Sequence, residues 1–277
     1  MKTFVLLFCS LYSIVCCTSD KKYSIAANQV NDVSIAHSLN KPDSLQKVIH
    51  VFVALCDNKY QGIVPVPDKI GNGQDPDNNL YWGCAFGIRS YFKQSKSWKL
   101  LKKYPIDSMK LERLVFKHVS SDYYLVADAY NGKYIKQCTI DFLKSCAGIE
   151  KESIVVNNKT IGISGNAALI SYIGHDGLMD FELNQSFANA DNLTRNTIIL
   201  ACISKKYFAP YLSATKANPL VWSTGLMSPE AYTLHDALES YIKNEPGTNI
   251  RNSAAKAYSK YQRCSENAAR KLLVSGY

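Results

Sequence analysis

The chain has 277 residues, 47% of them hydrophobic and 20% charged, with a formal net charge of +9. That is length for one large domain or two small ones, with enough apolar content for a sizeable core and too much for long disorder. The lysines are scattered rather than banked and no nucleic-acid motif is present, so the charge reads as a solvated basic surface and nucleic-acid binding is set aside.

Residues 1–17 hold one Lys and then a compact apolar run, too short and wrongly flanked to span a bilayer. They read as a secretory signal. Cys16-Cys17 followed by Thr-Ser-Asp-Lys-Lys resembles a loose bacterial lipoprotein box, which makes Cys16 and Cys17 lipidation candidates. Ordinary cleavage to a soluble secreted protein is the alternative. Residues 18–44 are polar, without period, and read as a tether. The expectation is a single exported domain over residues 45–277, in the periplasm or cell envelope.

The β-branched density of residues 46–56 predicts a first central strand, with Asp57 at its C-terminal end. A long loop follows over residues 62–79. Its Gly71 and Gly73 are followed by no Gly-Lys-Ser/Thr, so it is no phosphate-binding P-loop. Asp75, Asp77 and Asn79 have the alternate spacing of half a calcium loop, but the closing Gly and Glu are absent. Turn chemistry is the better reading, with Asp77 capping the next helix. That helix is expected over residues 80–94, with Tyr81, Cys84, Ile88 and Phe92 on one face. Residues 95–103 read as a solvated basic loop around Trp98. Residues 111–119 predict a second core strand. Asn131-Gly132 suits a type I′ turn and predicts a hairpin over residues 122–137. A short helix is expected over residues 139–147, capped by Thr139 and closed by Gly148. A second hairpin is expected over residues 153–164, turning at Asn157-Asn158.

Two short apolar runs come next, predicting strands over residues 168–174 and 197–202. The first delivers His175 at its end and the second delivers Cys202. The connection between them is long enough for a parallel crossover. As parallel neighbours they would bring His175 and Cys202 to the edge where open α/β sheets carry their sites. An imidazole beside a thiol is expected to lower the thiol pKa and supply a thiolate nucleophile. The plainer alternatives are an inert core thiol and a loop histidine. Residues 219–224 predict a further strand. Ser228-Pro229-Glu230 predicts the start of a helix over residues 229–243. Residues 250–273 predict a basic, Ala-rich helix.

Beyond the signal the cysteines are Cys56, Cys84, Cys138, Cys146, Cys202 and Cys264, with no CxxC pair and hence no structural zinc signature. There is no HExxH and no GxSxG, which argues against zincin and α/β-hydrolase chemistry. No metal or organic cofactor is implied.

The segment Tyr172-Ile173-Gly174-His175-Asp176-Gly177, followed by Ile198-Ile199-Leu200-Ala201-Cys202, resembles the caspase-like cysteine peptidases, the group of caspases, legumains, gingipains, clostripains and separases. The resemblance implies an α/β fold of the caspase-like type. That is a three-layer sandwich with a mostly parallel central sheet flanked by helices, here with small β-hairpin additions. It implies a dyad in which Cys202 attacks the scissile carbonyl and His175 protonates the leaving amine. Backbone N–H groups of Gly177 and Cys202 would bind the oxyanion. Trp222, Ser223 and Thr224 take the place where the family lines the pocket for the residue before the scissile bond; a buried edge strand is the alternative. Asp57 and Asp176 are candidates to orient His175 or contact substrate. The partner would be a peptide or protein substrate, with membrane contact only through an N-terminal lipid. The chain departs from the pattern in two ways: Asp176 stands between His and Gly, and the His–Cys separation is short. Both departures favour the rival expectation, a non-catalytic surface or periplasmic binding protein of the same fold. An unrelated α/β fold with Cys202 in the core is the third reading.

Overall fold

The structure is a computed structural model and describes residues 47–277; the expected signal over residues 1–17, with Cys16 and Cys17, and the expected tether over residues 18–44 lie outside the described residues. In chain order the first elements are β1 (Lys47–Ala54), α1 (Ile88–Gln94), β2 (Trp98–Tyr104), β3 (Lys110–His118), β4 (Tyr123–Tyr130) and α2 (Ile135–Cys146). Then come β5 (Lys151–Val156), β6 (Lys159–Ser164), β7 (Leu169–Ile173), β8 (Asn196–Leu200), α3 (Ser204–Thr215) and β9 (Asn218–Ser223). The chain closes with α4 (Ala231–Ile242), α5 (Gly247–Gln262), α6 (Glu266–Leu272) and β10 (Leu273–Val274).

β1 is a run of apolar and β-branched residues buried from its second position onward. Its alternation divides two cores. Ile49, Val51 and Val53 pack with α1, α4, α5 and α6 on one face, while Val48, Phe52 and Ala54 pack with α2, α3 and β6 on the other. A strand buried on both faces needs no polar alternation, which is why it reads as a continuous apolar run. The eight-stranded sheet runs β10-β9-β8-β7-β1-β4-β3-β2. Strands β4, β1, β7, β8 and β9 are mutually parallel, and β2, β3 and β10 join antiparallel at the two edges. The fold is therefore α/β, a large mostly parallel mixed sheet between two helical layers. Among the described residues no helix is long and apolar enough to cross a membrane.

All five expected strands lie in this sheet, and the hairpin at Asn157-Asn158 is present, both residues having positive φ as a type I′ turn demands. Other expectations are corrected. β3 is antiparallel to β4 because the turn between them is far too short for a parallel crossover. The hairpin at Asn131-Gly132 does not form. Both edges of β4 are already taken by β1 and β3, and Ile135, Cys138 and Phe142 instead bury one face of α2. Thr139 sits inside α2, donating to Ile135 O at 3.0 Å, and is no cap. The helix expected over residues 80–94 starts only at Ile88, because residues 80–87 turn tightly over the backbone around Trp82. Asp77 therefore caps nothing; it pairs with Arg89 at 2.6 Å. The basic stretch around Trp98 is the edge strand β2, whose lysines suit an edge that must not recruit another chain. Glu230, not Ser228, stands at the N-cap of α4. The C-terminal helix is two helices, broken at Arg263 with φ 54.

One polar cluster is buried under the α2 face. Arg113 on β3 reaches Asp128 on β4 with two hydrogen bonds of 2.6 Å each. His50 on β1 lies 3.1 Å from the same carboxylate. The Ser164 N–H donates to His50 Nδ1 at 3.0 Å, so the ring's remaining proton is on Nε2 and is donated to Asp128. Burial pushes Asp128 up, but the Arg113 charge and hydrogen bonds outweigh it and hold the carboxyl well below its ordinary range. Burial holds His50 below its ordinary 6.5, hence neutral.

Candidate active site

Counted by chain order, the parallel strands β4-β1-β7-β8-β9 run 2-1-3-4-5. The order reverses between β1 and β7, the kind of switch point beside which open α/β sheets carry their sites. The residues from β7 and β8 are set by register. Ile173 pairs with Leu200, so His175 and Cys202 each stand two residues beyond the same rung of adjacent parallel strands. Gly174 carries the chain from β7 into its turn. It has φ +142, donates to Leu200 O at 3.2 Å, and a Cβ there would fall 2.6 Å from Ala54 O. Only glycine fits that backbone.

His175 is nearly buried, and its backbone carbonyl accepts from Tyr172 Oη at 2.8 Å. Asp176 caps a short 3-10 turn over Gly177–Met179 by accepting from Leu178 N at 3.0 Å. That turn folds the chain back and brings Asp180 to His175, Nε2 to Oδ2 at 2.7 Å. A carboxylate accepts, so Nε2 carries the proton of this bond. The same Asp180 oxygen accepts from Gly62 N at 2.9 Å, and a Cβ on Gly62 would collide with that carboxylate. The loop after β1 is thereby fastened to the turn after β7.

Cys202 is part-buried between β8 and α3. Ile203 follows it in the left-handed region at φ 50, a strained conformation for a β-branched residue. Ile203 N donates to Gly225 O at 2.8 Å. Ser204 and Ser223 clasp the turn to β9: Ser204 N donates to Ser223 Oγ at 3.1 Å, and Ser223 N donates to Ser204 Oγ at 2.9 Å. The Cys202 thiol meets the backbone of Met227, at 3.4 Å from both its N–H and its carbonyl. Among the described residues, neither the Gly177 N–H nor the Cys202 N–H donates to any protein group.

The expected lowering of the thiol pKa by an adjacent imidazole is corrected. Burial pushes the Cys202 thiol above its ordinary value, the Met227 N–H pulls it down, and the Asp176 charge pushes it up again. His175 spends Nε2 on Asp180 and makes no hydrogen bond to the thiol. Packing therefore favours the thiol over the thiolate at Cys202.

Of the other expected site residues, Asp57 is buried at the end of β1, but its carboxylate serves its own loop. It accepts from Lys59 N at 2.8 Å, Tyr60 N at 3.1 Å and Gln74 Nε2 at 2.5 Å. The carboxylate on His175 is thus Asp180, not Asp57 or Asp176, because the turn over Gly177–Met179 returns Asp180 to the ring. Trp222 is fully buried, its Nε1 donating to Gly276 O at 3.0 Å, and Ser223 is the clasp described above. Thr224 is exposed and donates to Lys271 O at 2.9 Å. Of the three, only Thr224 faces solvent. The residues 71–79 organise the loop rather than a ligand cage: Asn79, fully buried, accepts from Cys56 N at 3.1 Å and donates to Cys56 O at 2.8 Å. Among the described residues no group of three His, Cys, Asp or Glu side chains is placed to hold a metal ion.

Sequence reasoning passed over Asp180, Met227 and Gly62. Asp180 was open to it, since a Gly-Leu-Met-Asp turn immediately after a strand-end histidine returns an acid toward the ring. Met227 and Gly62 act through backbone atoms and leave no side-chain signature. Comparison with protein-family models, with curated proteins and with solved structures found no match.

Proposed function

We propose that this chain is a caspase-like cysteine endopeptidase, made for export through its N-terminal signal. The observation that carries the reading is the register: His175 and Cys202 leave neighbouring parallel strands at equal height, with a carboxylate on the far nitrogen of the imidazole.

In this reading the peptide binds across the ends of β7 and β8. His175 Nδ1 takes the thiol proton as the sulfur attacks the scissile carbonyl carbon. The carbonyl π pair moves onto oxygen, and the free N–H groups of Gly177 and Cys202 receive the oxyanion. Collapse breaks the C–N bond while His175 returns the proton to the leaving amine. Water, deprotonated by the same ring, then hydrolyses the thioester and releases Cys202. Asp180 holds the ring in the Nε2–H tautomer and balances the imidazolium that forms in each step.

Asp180→Asn tests the arrangement. It keeps the shape but removes the charge and favours the wrong tautomer. The expected result is kcat on a cleaved library peptide lower by on the order of 100-fold or more, with KM within a few-fold and unfolding unchanged. Unchanged kcat would remove Asp180 from the mechanism. The rival, a non-catalytic binding protein of the same fold, is supported by the thiol bonded to Met227 rather than to the imidazole, beside the inserted Asp176 and the short His–Cys separation. A library left uncut, with Cys202 inert to alkylation, decides for it.

A further inference from the structure

Asp176 is the residue by which this chain departs from a His-Gly pair, and it is fully buried. Its Oδ1 holds the Leu178 N–H. Its Oδ2 is buried and has no hydrogen-bond partner among the described residues. Ile173 pairs with Leu200, so Asp176 stands three residues and Cys202 two residues beyond the same rung of adjacent strands. The titratable groups acting on Asp176 are Tyr172 from β7, Asp180 beyond the 3-10 turn and Cys202 beyond β8, and Tyr81 and Tyr258 also act on Cys202. None of these is a cation, and among the described residues no Lys, Arg or His side chain forms an ion pair with it. A buried carboxylate lacking both a counter-charge and a second hydrogen bond favours its neutral form. Burial raises its pKa to about 7, the Leu178 N–H opposes this, and Asp180 adds to it.

Two anions in one buried site disfavour each other, so the ionisation of Asp176 and that of Cys202 are linked. We propose that Asp176 is a positioning residue acting through Cys202: protonated, it lets the thiol ionise, and ionised, it holds the thiol in its unreactive form. The proposal rests on Cys202 as the nucleophile. Its consequence is a thiolate that forms only at a higher pH than it would beside a neutral Asp176.

The test is site-resolved alkylation of the folded protein by iodoacetamide from pH 5 to 10, read by mass spectrometry, comparing wild type with Asp176→Asn. The thiolate displaces iodide and forms a thioether. Removing the charge is expected to move the Cys202 midpoint down by on the order of 1 pH unit, with several-fold faster reaction at pH 8. Cys84, part-buried and without Asp176 among the groups acting on it, serves as internal control and should not move. A merely structural role would speed Cys202 at every pH without shifting its midpoint, and that outcome overturns the proposal. The same midpoint in both proteins also overturns it and leaves the nucleophile reading intact. A Cys202 that stays unmodified while Cys84 reacts overturns both.

A second measurement holds if Asp176→Asn does not fold. In wild type the Asp176 side-chain carboxyl should titrate near neutral pH by carbon NMR, and titration in the ordinary carboxylate range would defeat the proposal. The stability sign agrees. A carboxyl with a raised folded pKa makes the folded state bind the extra proton, so stability is lost as pH rises from the unfolded value, 3.8, toward about 7.

Discussion

Cys202→Ala is expected to lower kcat/KM for any cleaved peptide by on the order of 10,000-fold or more, because no other group at the site can form the acyl intermediate. The fold should survive. Cys202 is only part-buried and its sulfur hydrogen-bonds to the Met227 backbone, so truncation costs about 1 kcal/mol. The measurement is initial-rate kinetics beside urea unfolding of the same preparation. Lost activity with unchanged unfolding assigns the sulfur to chemistry. Activity within tenfold of wild type removes it from that role.

The largest effect on stability is expected away from the site, at Asp128. Asp128→Ala leaves the Arg113 guanidinium and the His50 Nε2–H buried without their acceptor, three orphaned N–H donors, two of them on a charged group. Removing one partner of a buried, hydrogen-bonded ion pair costs about 3–5 kcal/mol. For a domain of this size that lowers Tm by on the order of 10 °C. Acid strains the same cluster. The folded pKa of His50 lies below its unfolded value, so the folded state excludes the proton and stability falls as pH drops below 6.5. The depressed Asp128 contributes stability above the unfolded carboxylate range and loses it as pH falls through its folded value. A Tm within 2 or 3 °C of wild type for Asp128→Ala would mean the cluster relaxes into water, against its full burial.

The sheet was legible in the sequence where burial on both faces writes continuous apolar runs, as in β1, β7, β8 and β9. The turn at Asn157-Asn158 was legible because positive φ is written in residue type. Local cues failed where a third element decides. Asn131-Gly132 carries hairpin chemistry, yet β4 has no free edge to pair with, so the chain becomes α2. Trp98 among lysines looks like a loop until β3 offers it an edge. At the site, His175 and Cys202 were legible because both end buried strands. Of their partners, Asp180 was within reach of the sequence, through the turn that Asp176 caps. Met227 was not, since it acts through backbone, and the burial that raises the Cys202 thiol belongs to packing. The adjacency of His and Cys therefore foretold a thiolate that the packed site disfavours.

The central claim, a cysteine nucleophile served by His175, is tested most directly by covalent trapping. A set of peptidyl acyloxymethyl ketones, which react when an activated thiolate displaces the carboxylate leaving group, is incubated with the folded protein and the adduct is mapped by mass spectrometry. The expected result is one adduct, on Cys202, formed in wild type and absent in His175→Ala. An adduct on Cys84 or Cys264 instead, or labelling of Cys202 undiminished without His175, contradicts the account.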